Sequence, residues 1–224
     1  MVPIITVDGP GGAGKGTLSY SLAQCLGWHM LDSGALYRVT ALAALRAGLA
    51  LEDEEAVALL AGELPVVFLP APEGLTRVLL DGEDISLALR SEDCGSAASQ
   101  VAGLSRVRDA LLGRQRDMAQ APGLVADGRD MGTVVFPQAP LKIFLTASAQ
   151  ARAERRFRQL KGKGEDVTLA RLLDTIKERD ARDISRAQAP LVPADDAIVI
   201  DSTGVGAQGV LDTVMAQACE RALL

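Results

Sequence analysis

Asparagine is absent from all 224 residues, so the Asn-Lys-x-Asp motif that reads guanine in GTPases cannot exist in this chain. Aromatic residues make up only 3%, too few for a stacking platform that would track single-stranded nucleic acid. Any base bound here must be held by polar contacts and aliphatic walls. Basic side chains are outnumbered 29 to 23, and the net charge of -6 excludes a general attraction to nucleic acid or to an anionic membrane. The three cysteines, Cys25, Cys94 and Cys219, are odd in number and lack Cys-x-x-Cys spacing, which argues against zinc or a disulfide framework. They are expected to be buried thiols in a reducing cytoplasm. The single histidine, His29, lies in the apolar run 28–32 with no partner motif, so a satisfied core histidine is expected over a catalytic one. There is no apolar run of transmembrane length, no charged region followed by a signal-like apolar one, and no fixed-period repeat. A soluble, cytoplasmic protein with no membrane or nucleic-acid partner is expected.

What is present begins almost at once. The apolar run Ile4-Ile5-Thr6-Val7 leads into Gly9-Pro10-Gly11-Gly12-Ala13-Gly14-Lys15-Gly16-Thr17, and a helical pattern follows in Leu18, Leu22, Cys25 and Leu26, closed by Gly27. Strand, glycine-rich turn and helix in that order are the context in which a P-loop cradles phosphates. Backbone N–H groups must wrap a phosphate chain closely, Lys15 adds a compact positive charge, and the helix N-terminus adds its own. Gly16 stands between the lysine and its hydroxyl partner Thr17, and a Lys-Gly-Thr ending of this kind resembles nucleoside monophosphate kinases.

The size and the 48% apolar content suit one α/β domain with an inserted subdomain. A short strand, Trp28 to Asp32, precedes Ser33-Gly34 and a helix bearing Leu36, Tyr37, Arg38 and Val39, which Gly48 stops. An acidic helix over about 54–61 and two strands, Leu64 to Leu69 and Leu75 to Leu80, joined through Pro70-Ala71-Pro72-Glu73-Gly74, read as an antiparallel insert at about 50–100. Helices are expected at about 92–101 and 105–119, the second carrying Arg106, Arg108, Arg114 and Arg116, mostly solvated. The strand Leu124-Val125-Ala126 ends in Asp127-Gly128-Arg129-Asp130-Met131-Gly132-Thr133, and strand ends beside a P-loop are where ligands sit in open α/β sheets. After a buried strand at 141–145, a basic helix places Arg152, Arg155 and Arg156 on one face, with Arg158 close by. The flexible loop Lys161-Gly162-Lys163-Gly164 follows it, so the segment at about 150–167 reads either as a lid or as a solvated surface helix. On the next helix, about 168–186, Arg179, Asp183 and Arg186 share a face, which could hold a sugar phosphate or be an intrahelical ion-pair ladder. A last strand, 197–200, and a closing helix around Val210, Leu211 and Val214 complete the chain. The fold class expected is α/β, a three-layer P-loop fold with a parallel central sheet, helices on both faces, a small antiparallel insert and a short lid.

Four segments resemble bacterial cytidylate kinases: Ile5 to Pro10 with the P-loop; Leu31-Asp32-Ser33-Gly34-Ala35-Leu36-Tyr37-Arg38; Ala126 to Thr133; and Lys177-Glu178-Arg179-Asp180. Their order and spacing extend the resemblance over nearly the whole chain. It implies ATP-dependent phosphorylation of CMP and dCMP, with Mg²⁺, by a single kinase domain of core, nucleoside-monophosphate-binding insert and lid. ATP would lie on Gly9 to Thr17 with Arg158; Lys15, Arg129, Arg155 and Arg156 would act on the transferring group; and Mg²⁺ would sit near Thr17, directly or through water. The resemblance assigns the acceptor phosphate to Ser33, Arg38, Arg129 and Arg186, the sugar to Asp183 with Arg179, and cytosine to Ser99, Arg108 and Asp130. Two positions depart from the family pattern: Gly11, where serine is frequent, and Ile184, where some relatives are charged. A kinase of a small metabolite such as shikimate fits the P-loop alone, but the face Arg179, Asp183, Arg186 and the hairpin insert favour a nucleotide acceptor; a regulatory ATP-binding module is a third reading, which lack of turnover with every monophosphate would favour. A monomer is expected, because lid and insert must swing freely.

Overall fold

The computed structural model describes residues 2–70, 76–162 and 164–223. Of the sequence expectations, the connection at 71–75 and Lys163 of the basic loop lie outside the described residues. The chain divides into two compact units, Met1–Leu31 with Met118–Leu224, and Asp32–Asp117.

The first unit is built on a five-stranded sheet. Its strands are β1 (Ile4–Asp8), β2 (His29–Asp32), β6 (Leu124–Gly128), β7 (Leu141–Thr146) and β8 (Ile198–Asp201), in the order β2-β6-β1-β7-β8. β1 runs parallel to both β6 and β7, and β7 runs parallel to β8. A strand with neighbours on both sides and helices over both faces is mostly apolar, which is why Ile, Val, Leu and Phe predominate in β1 and β7, with Thr6 and Lys142 as buried polar exceptions. Ile5, Val7, Val125, Leu141, Ile143 and Leu145 form a core with Leu18 and Leu22 of α1 (Lys15–Leu26) and Val210, Val214 and Ala218 of α8 (Ala207–Glu220). α6 (Ala149–Gly162) and α7 (Leu169–Ile184) pack on each other, and Thr168 caps α7 by accepting from the Arg171 amide. The sheet order places β1, and the loop after it, between the C-terminal ends of β6 and β7. A short π-type turn, Met131–Val135, follows β6.

The second unit contains α2 (Ser33–Arg46), α3 (Glu54–Gly62), α4 (Glu92–Val101), α5 (Ser105–Asp117) and a three-stranded antiparallel sheet. Its strands are β3 (Val66–Pro70), β4 (Thr76–Leu80) and β5 (Glu83–Asp84), the last not anticipated from its two residues. Asp32, Asp53 and Ser91 cap α2, α3 and α4 by accepting backbone N–H bonds three residues on, which explains where each helix starts. The unit begins ahead of the insert expected at about 50–100.

Three local expectations are corrected. His29 opens a sheet-edge strand, so it is exposed and its Nε2 meets the Ala121 carbonyl at 3.0 Å. Of the cysteines only Cys94 is buried: Cys25 falls at the margin of the α1 face marked by Lys15, Leu18, Ser19, Leu22 and Ala23, and Cys219 lies in the last turn of α8. The α5 arginines are not uniformly solvated. Arg108 is buried, and Arg114 reaches the Leu64 and Val66 carbonyls at 2.8 and 3.1 Å, holding the start of β3.

Gly9 is required where β1 turns into the loop. It has φ +144°, and a Cβ there would stand 2.0 Å from the Leu145 carbonyl oxygen. Gly9→Ala should therefore cost at least about 2 kcal/mol, through strain and forced separation of β1 from β7, a loss that urea unfolding of the variant measures.

Candidate active site

Four carbonyls of the phosphate loop, those of Pro10, Gly11, Ala13 and Gly14, meet donors. Lys15 Nζ donates to the Pro10 carbonyl at 3.1 Å, and Arg152 Nη1 to the Gly11 carbonyl at 3.0 Å. The Ala13 carbonyl accepts from Ser202 Oγ at 2.8 Å and from Arg155 Nη1 at 3.3 Å, and the Gly14 carbonyl accepts from the Leu18 amide. A loop held by its carbonyls leaves its N–H groups for an anion. Lys15 is 6% exposed and lies 3.7 Å from Asp127 at the end of β6.

A pocket of about 550 Å³ opens beside this loop. Gly12 to Thr17 line one side, Arg152, Arg155, Arg156 and Arg158 another, and the segment from Val205 to Leu211 a third. All four arginines of the basic helix thus belong to one cavity, and a purely solvated helix does not describe α6. They are not equivalent within it. Arg152 is buried, donates to the Ala147 carbonyl at 3.0 Å, and forms a two-pronged pair with Asp180 of α7. Arg155 grips both the hydroxyl and the carbonyl of Ser202, whereas Arg158 is exposed, with Nε on the Glu154 carbonyl.

A second cationic cluster lies on α7 and its C-terminal extension. Asp183, 2% exposed in its side chain, accepts from Arg129 Nε at 3.0 Å through one oxygen and from Arg186 Nη2 at 2.6 Å through the other. Because Arg129 enters from the end of β6, this is not a simple ladder within one helix. A β-carbon on Gly11 would lie 3.5 Å from Arg129 Nη2 and 3.7 Å from Arg179 Nη1, so both guanidiniums reach the phosphate loop. Arg129 and Arg186, both held by the buried Asp183, and Arg179 beside the loop form a guanidinium cluster of the kind that suits a phosphate dianion. Asp130, next in sequence, is buried.

Asp8 ends β1 beneath this region. Its carboxylate accepts the Met131 and Gly132 amides, each at 2.8 Å. Burial pushes its pKa up to about 7, opposed by those two hydrogen bonds, assisted by the charge of Asp130 and opposed again by Lys15.

The remaining assigned residues belong to the second unit. Ser33 and Ser99 are buried, and Arg38 is half-buried at the start of α2, its carbonyl accepting from Cys94 Sγ at 3.6 Å. Arg108 lies over the Tyr37 ring at 5.8 Å and donates to the Ala102 carbonyl.

A family model described as cytidylate kinase matches residues 5–220. The chain belongs to the cytidylate kinase family. It is 61% identical over 214 residues to a cytidylate kinase of Shewanella frigidimarina, covering 95% of this chain and 93% of that one. Against a cytidylate kinase of Edwardsiella ictaluri it is 59% identical over 218 residues, covering 97% and 96%. A cytidylate kinase of Shewanella denitrificans gives 59% identity over 95% of this chain and 94% of its own.

For this cytidylate kinase family member the sequence left several site residues unmarked. Asp127 lies in the motif at the end of β6, and its distance of 3.7 Å from Lys15 gives it a place in the site that the motif alone does not assign. Asp180 lies in the segment Lys177-Glu178-Arg179-Asp180 without a role there, and Ser202 has no signal, because a hydroxyl that meets an arginine from a distant element shows no local pattern. No helix among the described residues is long and apolar enough to cross a membrane.

Two outcomes follow from these pairings. Asp180→Ala leaves the Arg152 guanidinium buried without its carboxylate, and should cost about 3–5 kcal/mol in urea unfolding. For Asp8 the folded state holds the proton more tightly than the unfolded chain, whose ordinary value is 3.8, so its contribution to stability is present at low pH and lost as pH rises toward about 7. The Tm of the protein relative to Asp8→Asn, followed by calorimetry, should fall over that interval and level off above it.

Proposed function

We propose that the protein transfers the γ-phosphoryl group of ATP to CMP and dCMP, giving CDP and dCDP, in line and without a covalent enzyme intermediate. The observation that carries this reading is a carbonyl-anchored phosphate loop facing a pocket lined by four arginines, in a chain of the cytidylate kinase family. Donor phosphates lie on the amides of residues 9–17 with Lys15, and the nucleoside of ATP takes the part of the pocket lined by Val205 to Leu211 and Arg158. Arg129, Arg155 and Arg156 offset the charge that spreads over the transferring group. Ser33, Arg38, Arg129 and Arg186 hold the acceptor phosphate, and Asp183 with Arg179 holds the sugar.

Mg²⁺ would neutralise and align the donor phosphates. The donor set fits it, since the exposed Thr17 hydroxyl and the nearby Asp127 carboxylate are hard oxygen groups. Residues about 150–167 act as the lid and about 50–100 as the acceptor-binding insert of a monomer, and the three free cysteines agree with a cytoplasmic site of action.

Cytosine is read by Ser99, Arg108 and Asp130. Its N4 amine donates to a hydroxyl or carboxylate, while N3 and O2 accept from a guanidinium. Uracil would bring O4 against Asp130, acceptor against acceptor. In a coupled ADP-release assay with ATP and Mg²⁺, offering CMP, dCMP, UMP, AMP and shikimate in parallel, the expected result is selective turnover of CMP and dCMP. Their kcat/KM should exceed that of UMP by about 100-fold or more, and Asp130→Ala should narrow the gap. Equal values for CMP and UMP would sink the cytosine assignment, and turnover of shikimate or AMP alone would sink the acceptor altogether.

A further inference from the structure

Asp8 is 5% exposed and immediately precedes the phosphate loop. Its two oxygens are divided between two consecutive amides, Met131 and Gly132. Those amides open the turn that follows Arg129 and Asp130. On the other side of that pair, Gly128 is already in register with Asp8 at the end of the β1–β6 ladder. Arg129 and Asp130 are therefore a two-residue span held at both ends, by a strand pairing before it and by a carboxylate after it.

Holding the sheet together does not require this carboxylate, because β1 and β6 pair over five residues from Ile4–Leu124 to Asp8–Gly128. The space around the grip is closed as well. A Cβ on Gly132 would stand 2.9 Å from Thr6 Oγ1, 3.1 Å from Lys142 Cδ and 3.3 Å from Asp8 Oδ2, so residue 132 has room only for hydrogen. A buried carboxylate is a costly way to satisfy two amides. Its position says what it does: one side chain ties the residue just before the phosphate loop to the backbone that presents Arg129 and Asp130.

We infer that Asp8 is a positioning residue for the acceptor, fixing through the Met131 and Gly132 amides where Arg129 and Asp130 stand relative to the phosphate loop that begins at Gly9. This rests on the reading of Arg129 and Asp130 as acceptor-contacting residues under Proposed function. The charged groups around Asp8 are Asp130 on the gripped segment, Lys15 of α1 with its partner Asp127 of β6, and Lys142 of β7, whose ammonium is taken up by the Pro137 carbonyl and Asp196. Only the ionised carboxylate accepts both amides fully, since a protonated one turns a hydroxyl toward one of them. The grip is complete above the range in which Asp8 titrates and slackens below it.

The test uses the full chain and Asp8→Asn. In nucleotide-free protein, ¹⁵N NMR should show the Met131 and Gly132 amide signals moving together between about pH 5 and pH 9, and standing still in Asp8→Asn. At about pH 8, kcat/KM for CMP should fall about 10–100-fold in Asp8→Asn, with KM for ATP within about threefold of the parent and a reduced preference for CMP over UMP. The ratio of parent to variant should shrink toward low pH, a comparison in which the titration of the substrate phosphates cancels. Val214→Ala, a buried α8 change in the same unit, is the control for lost stability and should keep the CMP preference. Parent-like kinetics and preference in Asp8→Asn, or a loss matched by Val214→Ala at equal Tm, would overturn the positioning role. Absence of CMP turnover in the parent protein would remove the acceptor reading and this role with it. Normal CMP turnover beside unmoved variant kinetics removes this role alone.

Discussion

A loop that aims its N–H groups at a phosphate must aim its carbonyls away from it, and buried carbonyls need donors. Here the donors are cations and a hydroxyl: Lys15 on Pro10, Arg152 on Gly11, and Arg155 with Ser202 on Ala13. The arrangement ties α6 and the end of β8 to a loop from β1, so the elements around the pocket are fixed by the same bonds that fix the loop's direction. Asp180 completes the set by balancing Arg152, and α7 is thereby joined to the loop that its neighbour Arg179 also reaches.

The charge balance has consequences for both stability and chemistry. Arg129 and Arg186 each take one oxygen of the buried Asp183, while Arg129 and Arg179 both reach the phosphate loop. Asp8 works in the opposite direction. Burial raises its pKa, so the fold favours its protonated form while the double amide grip favours the ionised one. Sites of this kind hold groups that stability alone would not choose.

Much of the fold was legible. The predominantly apolar strands β1, β6 and β7 and Gly27 after α1 each specify a local conformation through their own chemistry, and the structure adds the caps Asp32, Asp53, Ser91 and Thr168 that fix where four helices start. The misread positions share one cause. His29 and Cys25 sit in patterns that look buried, and whether a residue on a strand or helix margin meets solvent depends on what is stacked beside it. β5 is two residues long and exists through its pairing with β4, which no short-range pattern announces.

By itself the sequence determined the phosphate loop, the parallel α/β core with an antiparallel insert, and the family, because these rest on periodicity, glycine placement and motifs that act within a few residues of one another. Only the tertiary structure decided the rest: that Arg152 and Arg155 are anchored on the phosphate loop, that Asp180 and Ser202 hold them, and that Asp8 grips the turn after Asp130. Those bonds join residues from 28 to 189 positions apart, from Arg152–Asp180 to Ser202–Ala13. Pairing at such separations is set by how strands and helices stack, and burial then sets the charge state of Asp8.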